Sequence, residues 1–511
     1  MLRHLVSVSL LTLLSRVTGF LRDIVLARVL GAGLIADAFV VAFRLPNHFR
    51  AIFGEGAFNA AFVPSYAQTL EQKGEGEARR FSGHVQALLI LSQIALLIAA
   101  WIFTPELVRL LAPGFADEPE KFALTVTLTR ITFPYLLCMT LVTLHSGALN
   151  AHRRFAAAAF APVLLNLSMI GALAVAFLFP NAGYAAAFGV LLAGVLELLL
   201  LTAAARRAGA LAPLIAPKLS AEVKHFFKVI VPAVIGSAGV QIAIFADTII
   251  GSLLPTGGVS SIYYADRIYQ LPVGVLGVAA GTVLLPEMSR RIAGGDEAGA
   301  FAAQNRTLAL TIALAAPFFV AFLTIPDAIM RGVFRHGAFT DANALAAAAV
   351  LAAYGVGLPA VLAIRPAVAS FQARGDTFAP MVISLLAVAA NVALKIALWR
   401  GYGAPALALA TAAGAWINVA LLVGLALKRG WMKPDGMLMR VGLAAAIAAA
   451  ALTLVALFAR RPIEEFGAQF GVMAKLVDLA LLGLAGAAIY ALALGVALLA
   501  LRVRLGRAKG G

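Results

Sequence analysis

The sequence predicts an all-α polytopic membrane protein of fourteen transmembrane helices, two six-helix lobes related by a pseudo-twofold axis plus two extra C-terminal helices. Three observations carry this. Of the 511 residues, 62% are hydrophobic and 13% charged, with mean hydropathy +0.95; soluble domains carry roughly 25% charged residues. Apolar runs of about 20 residues, enough to cross a bilayer as helix, recur along the whole chain, with no long polar stretch between them. Proline-marked segments of the first half return in the second half in the same order.

In order, the spans are 5–29, 34–66, 84–103, 122–149, 156–179, 184–205, 226–253, 258–288, 304–325, 343–371, 377–399, 403–427, 438–459 and 476–501. The start, MLRHLVSVSLLTLL, has the basic end and apolar core of a signal peptide. It lacks a small-x-small cleavage site and runs straight into Ser15 and Arg16, so it reads as a retained first span. Span 34–66 is long for one crossing and holds Pro46, Gly54 and Gly56, which favours a bent helix over two spans. Span 258–288, with Pro272, Gly274, Gly277 and Gly281, reads the same way.

Charge placement gives the topology. With the N-terminus in the cytoplasm, 23 of the 40 Lys and Arg residues fall in inside segments, eight in outside segments and nine within spans. The positive-inside rule then predicts both termini cytoplasmic and an even span count. The repeat sets the domains. FRLPNHFRAIFGEGAFNAAFVPS, around Pro46 and Pro64, meets YQLPVGVLGVAAGTVLLPE, around Pro272 and Pro286; Pro134 meets Pro359 and Pro162 meets Pro380, at offsets of 226, 222, 225 and 218. This organises the chain as an N-lobe (1–205), a basic cytoplasmic linker (206–228), a C-lobe (229–427) and a C-terminal part (428–511) holding spans 13 and 14 and a basic tail. Both halves start on the same side, so the pseudo-twofold axis runs along the membrane normal.

The stretch from Ser15 to Tyr66 is apolar enough for a bilayer, yet it carries Arg16, Arg22, Asp23, Arg28, Asp37, Arg44, Arg50 and Glu55. A charge near the bilayer centre costs roughly 2.5–3.5 kcal/mol on insertion scales, so such charges face a wet cavity, a partner or a ligand. Five arginines against three carboxylates leave positive charge over, and an anion is the natural missing partner. Arg16 and Asp23 share a helix face, Arg22 lies about 120° around from Arg16, and Gly19 offers a bend that brings both arginines to one cavity. Arg44 and Arg50 flank Pro46 and Asn47, Asp37 shares a face with Arg44, and Glu55 sits between two glycines at the expected bend. In the second half, YYADRIYQLP sets Arg267 beside Asp266. Arginine suits phosphate because its planar fork donates bidentate, charge-assisted hydrogen bonds and stays charged. Arg16, Arg22, Arg50 and Arg267 are therefore candidate ligands for a diphosphate, with internal ion pairs to Asp23, Asp37 or Asp266 as the competing reading. Arg28 is expected to snorkel to the outer surface, and Arg130 and Arg365 to pair or snorkel.

Asp247 on span seven and Lys395 on span eleven lie deep in apolar runs, with Asn391 one turn before Lys395. They make either a static buried ion pair, the favoured reading, or a coupling site. No enzyme signature is present. There is no Walker A motif, the seven histidines show no metal-ligand spacing, and the lone Cys138 excludes an intramolecular disulfide. No metal, no cofactor and no nucleic-acid partner are expected.

LLSRVTGFLRDIVLARVLGAGLIADAFVVAFRLPNHFRAIFGEGAFNAAFVP, followed by YYADRIYQLPVGVLGVAAGTVLLPEMS, resembles the lipid II flippase (MurJ/MviN) family of the multidrug/oligosaccharidyl-lipid/polysaccharide (MOP) exporter superfamily. The resemblance covers essentially the whole chain. It implies two lobes in a V around a central cavity, with spans 13 and 14 forming a groove for a lipid tail. It implies translocation of undecaprenyl-pyrophosphate-linked disaccharide-pentapeptide from the cytoplasmic to the periplasmic leaflet of the inner membrane, with other cell-wall synthesis proteins as possible partners. The family's cavity arginines fall on Arg16, Arg22, Arg50 and Arg267, and its acidic and amide partners on Asp23, Asp37 and Asn47. Position 395 departs from relatives that hold sodium nearby with a carboxylate, so sodium binding is doubtful in this chain and the membrane potential is the expected driving force. The rival readings are a flippase for another polyprenyl-linked glycan, a cation-coupled drug exporter, which predicts an acidic cavity, and a non-transporting scaffold.

Overall fold

Helices start and stop where the local punctuation says they should. The computed structural model describes residues 2–50 and 57–503, and no strand occurs among them. The first helices are α1 (Leu2–Leu30), α2 (Leu34–Arg50) and α3 (Ala57–Ile102). Gly31, with φ +67°, ends α1, and Gly74, with φ +81°, breaks α3 into two stretches; both backbones are in the region that glycine alone enters without strain. Next come α4 (Thr104–Leu111), α5 (Pro119–Thr132) and α6 (Tyr135–Ala151), the last two separated by Phe133 and Pro134. Then follow α7 (Ala156–Ala174), α8 (Ala182–Arg207) and α9 (Ala221–Ser252). Side chains of Asn181 and Ser220 cap α8 and α9 by accepting from Gly183 N and Val223 N.

The second half holds α10 (Gly258–Pro272), α11 (Val278–Ala293), α12 (Glu297–Thr324), α13 (Pro326–Phe334) and α14 (Asp341–Gln372). A π turn, Val273–Gly277, joins α10 to α11. The long span 258–288 is thus one helical run loosened behind Pro272, the usual remedy for the backbone donor that proline lacks. The chain ends with α15 (Phe378–Lys428), α16 (Gly436–Phe458), α17 (Arg460–Gly467) and α18 (Ala474–Ala500). Gly403, with φ +61°, breaks α15 between the eleventh and twelfth sequence spans. Thr340 and Asn343 close a capping box on α14.

Nine helices among the described residues are long and apolar enough to cross a membrane, including both glycine-broken ones. The chain divides into two compact units, Met1–Ser260 with His336–Phe339, and Ser261–Arg335 with Thr340–Gly511. In the first unit, Phe62 stacks on Phe58 and Phe81 at 5.1 and 5.7 Å and meets Phe226 edge-on at 6.2 Å, tying α3 to α9. In the second, small residues let helices approach closely: a Cβ on Gly357 would lie 2.7 Å from the Ala412 backbone. One repeat landmark escaped the sequence comparison. Each half carries a short helix opening on proline after its third span, α4 with Pro105 and α13 with Pro326.

Candidate functional site

The first cluster lies where α1 meets α7. Arg22 and Asp23 are 9% and 3% exposed. Arg22 donates to Asp23 Oδ1 through Nη2 at 2.7 Å and Nε at 3.1 Å, and through Nη1 to Asn166 Oδ1 at 3.0 Å. The Asn166 amide donates in turn to the Ser15 carbonyl at 3.0 Å and to Thr18 Oγ1 at 3.1 Å. Gly19 does not bend α1, which runs unbroken. It leaves room instead, since a Cβ there would stand 3.4 Å from Asn166 Nδ2. Asn166 is a site residue that sequence reading missed, because an asparagine in an apolar helix 144 positions away carries no local signal. Arg16, on the same helix, is exposed.

The second cluster centres on Asp37, which is fully buried. Its Oδ2 pairs with Lys121 Nζ at 3.2 Å and accepts from Gly257 N at 2.8 Å. Its Oδ1 accepts from Ser260 N at 2.8 Å and Ser260 Oγ at 2.7 Å. Asp37 of α2 thereby caps the N-terminus of α10, where free amides and the helix dipole favour a carboxylate. Lys121 is also fully buried; it donates to Glu118 Oε1 and Thr256 Oγ1, both at 3.2 Å, and sits 4.2 Å from the Phe115 ring centroid. Partial burial raises the Glu118 carboxyl, but the Thr256 hydroxyl and the Lys121 ammonium outweigh it and leave its pKa below the ordinary value. Two close approaches complete this end. Gly114 donates to Ser252 Oγ at 3.2 Å, and Ala338 N donates to the Arg28 carbonyl at 2.8 Å.

Asp37 was grouped with the arginines by its shared face with Arg44, but its cationic partner is Lys121, a residue the sequence placed outside the spans. Arg44 donates instead to Thr248 Oγ1 at 3.3 Å. Asn47 is half-buried on α2, Arg50 closes α2 with its side chain outside the described part, and Glu55 lies outside the described residues. Arg28 and Arg365 are both exposed.

In the second unit, Arg267 lies on α10 with its guanidinium 4.6 Å from the Tyr263 ring centroid, a cation–π contact. Tyr269 stacks on Tyr354 of α14 at 4.9 Å. Asn391 and Lys395 are on α15, Lys395 being 1% exposed, whereas Asp247 lies on α9 of the first unit. No group of three or more His, Cys, Asp or Glu side chains that can hold a metal ion occurs among the described residues.

A family model described as "Lipid II flippase MurJ" matches residues 26–477. The chain belongs to the MurJ family. Similarity to curated MurJ proteins is high over most of the length. A relative from Rhizobium meliloti (strain 1021), described as "Probable lipid II flippase MurJ", is 42% identical over 86% of this chain and 84% of its own. The "Lipid II flippase MurJ" of Burkholderia cenocepacia is 34% identical over 85% of each. Among solved structures, "Lipid II flippase MurJ, inward closed conformation" superposes with a TM-score of 0.78 at 25% identity, covering 97% of this chain and 99% of that one. An inward-facing MATE transporter of the MOP superfamily shares the fold at a TM-score of 0.66 and 15% identity, covering 84% of this chain and 95% of that one. The MurJ fold here is therefore a multi-pass membrane architecture common to that superfamily.

Proposed function

We propose that this chain is a lipid II flippase of the bacterial inner membrane, moving undecaprenyl-pyrophosphate-linked peptidoglycan precursor from the cytoplasmic to the periplasmic leaflet by alternating access. The observation that carries the reading is a buried arginine held ready for an anion in a chain of MurJ ancestry. Arg22 is braced by Asp23 and Asn166, and such bracing orients a guanidinium without neutralising the other arginines around it. In this proposal Arg16, Arg22, Arg50 and Arg267 bind the pyrophosphate from lobes 1–205 and 229–427, with Asn47 beside them. Lipid II neutralises their mutual repulsion, which lets the lobes close around it. The sugar–peptide headgroup crosses in the wet cavity while the isoprenoid stays in lipid along spans 13 and 14.

Fourteen spans with both termini cytoplasmic put the Asp37 network at the periplasmic end, where it acts as the latch of the inward-facing state; Glu55 belongs to the opposite, loosened part of span two. Opening outward requires Asp37 to let go of Gly257 and Ser260. The membrane potential, about 2.3 kcal/mol per charge per 100 mV, is available to return the positively charged empty cavity inward. Other cell-wall synthesis proteins are the partners that would supply and consume the lipid.

The test is growth of a host depleted of its own lipid II flippase, with lipid II assayed at the outer leaflet. Wild type is expected to rescue and a normally inserted Arg22→Ala variant to fail. A well-inserted wild type that does not rescue refutes the substrate, and equal rescue by both refutes the role of Arg22.

A further inference from the structure

The two halves of α15 form a hairpin that carries a polar line through the apolar interior of the second unit. Beyond the turn at Gly403, the second half packs back on the first: a Cβ on Gly414 would stand 2.9 Å from Asn391 Cβ and 3.2 Å from the Ala387 carbonyl oxygen. One turn along, the Asn418 amide donates to Ser384 Oγ at 3.4 Å. Lys395 follows Asn391 by four residues, so the two share a face. Helical side chains lean toward the N-terminus, and the lysine stem therefore reaches back over the turn that holds Asn391, a rise of about 5.4 Å. Both asparagine Oδ1 atoms are buried and accept no hydrogen bond. Lys395 itself is 1% exposed. The hairpin thus holds one buried cation and a second, unfilled set of acceptors within its reach.

The family resemblance implies a sodium ion held near this position by a carboxylate. The residues present do not fit one. Position 395 supplies an ammonium rather than a carboxylate, and the charge that sodium would bring is already there. We propose that the Lys395 ammonium is itself the resident cation of this hairpin, and that the Asn391 and Asn418 carbonyl oxygens are its second acceptor set, taken up when the second unit changes state. The proposal takes its timing from the alternating-access reading and its chemistry from the hairpin alone. A tethered cation cannot exchange with solution, so its electrostatic role persists at every sodium concentration.

The experiment compares sodium, potassium and choline chloride at equal ionic strength on the purified full-length chain, reading Tm in detergent and lipid II flipping in proteoliposomes. Wild type is expected to show the same Tm and rate in all three salts. Lys395→Met should slow flipping by about tenfold or more in every salt, as expected where a buried charge serves transport. Lys395→Asp should acquire a Tm that rises with sodium and not with choline, because a carboxylate beside two free amide oxygens makes an oxygen-lined cation site. A sodium-specific rise in the wild-type Tm or rate overturns the proposal. So does a Lys395→Met chain that flips at the wild-type rate, or a Lys395→Asp chain as indifferent to sodium as wild type. The Tm readings need no transport: if wild type moves no lipid II, the flippase reading falls while the sodium titration still decides this one.

Discussion

The two ends of the first unit hold their charges in opposite ways. At one end, Asp37 and Lys121 are both fully buried, and Asp37 takes three further hydrogen bonds from Gly257 and Ser260. At the other, where α3 turns at Gly74, Lys73 pairs with Glu222 at 2.5 Å, but the two side chains are 49% and 28% exposed. The bond lengths alone would rank the exposed pair as the tighter. Burial reverses the ranking, because an uncompensated charge in the interior is expensive while an exposed one is re-solvated at once. A transporter latched at its Asp37 end and only lightly tied at its Lys73 end rests with the second end ready to move.

The comparison breaks first if Asp37 proves dispensable. Asp37→Ala strands the Lys121 ammonium and two helix-start amides, and is expected to cost about 3–5 kcal/mol. Thermal unfolding in detergent measures it, and a Tm change no larger than that of an exposed substitution refutes the latch. Asn166→Ala removes the acceptor that braces Arg22, at about 1.5–3 kcal/mol for a hydrogen bond to a charged group. A double-mutant cycle with Arg22→Ala should show most of that as coupling, and additive losses would separate the two residues. Gly114→Ala places a Cβ 2.2 Å from the Ser252 carbonyl oxygen, and backbone must shift to admit it. The expected loss is about 1–3 kcal/mol, read by the same unfolding, and an unchanged Tm would show that this end is not tightly closed.

The smallest effect sharpens the contrast. Hydrogen bonds from the Lys73 ammonium and the Ser220 hydroxyl hold the Glu222 carboxyl down at about 2, and Glu222 raises Lys73 above 10.5. What the depressed Glu222 adds is complete above its unfolded value of 4.5 and is lost as pH falls toward 2. What the raised Lys73 adds is complete below 10.5 and is lost only as pH climbs past its folded value. From about pH 5 to pH 9 this pair therefore gives stability no slope. Glu222→Gln should leave Tm against pH parallel to wild type across that window, and a slope that vanished in the variant would contradict it.

Much of the architecture is written in local signals. Gly31, Gly74 and Gly403 end or turn helices through backbone angles that other residues avoid, and Pro272 marks the π turn. The gap between spans two and three differs from a simple loop: residues 67–83 stay helical on both sides of Gly74, since a hairpin of two helices satisfies its backbone better than a polar coil. The candidate site was legible in part. Arg22 and Asp23 stand out because charge in an apolar helix is conspicuous, whereas Lys121, in a polar segment, looks like any surface lysine and is fully buried.

By itself, then, the sequence determined the class, the helix boundaries and the identity of the buried charges, because hydropathy, proline and glycine act over a few residues. Tertiary structure alone decided which groups those charges meet. Arg22 finds Asn166 across 144 positions, and Asp37 finds Ser260 across 223. Such pairings depend on which helices pack side by side and in what register, and no local pattern encodes that.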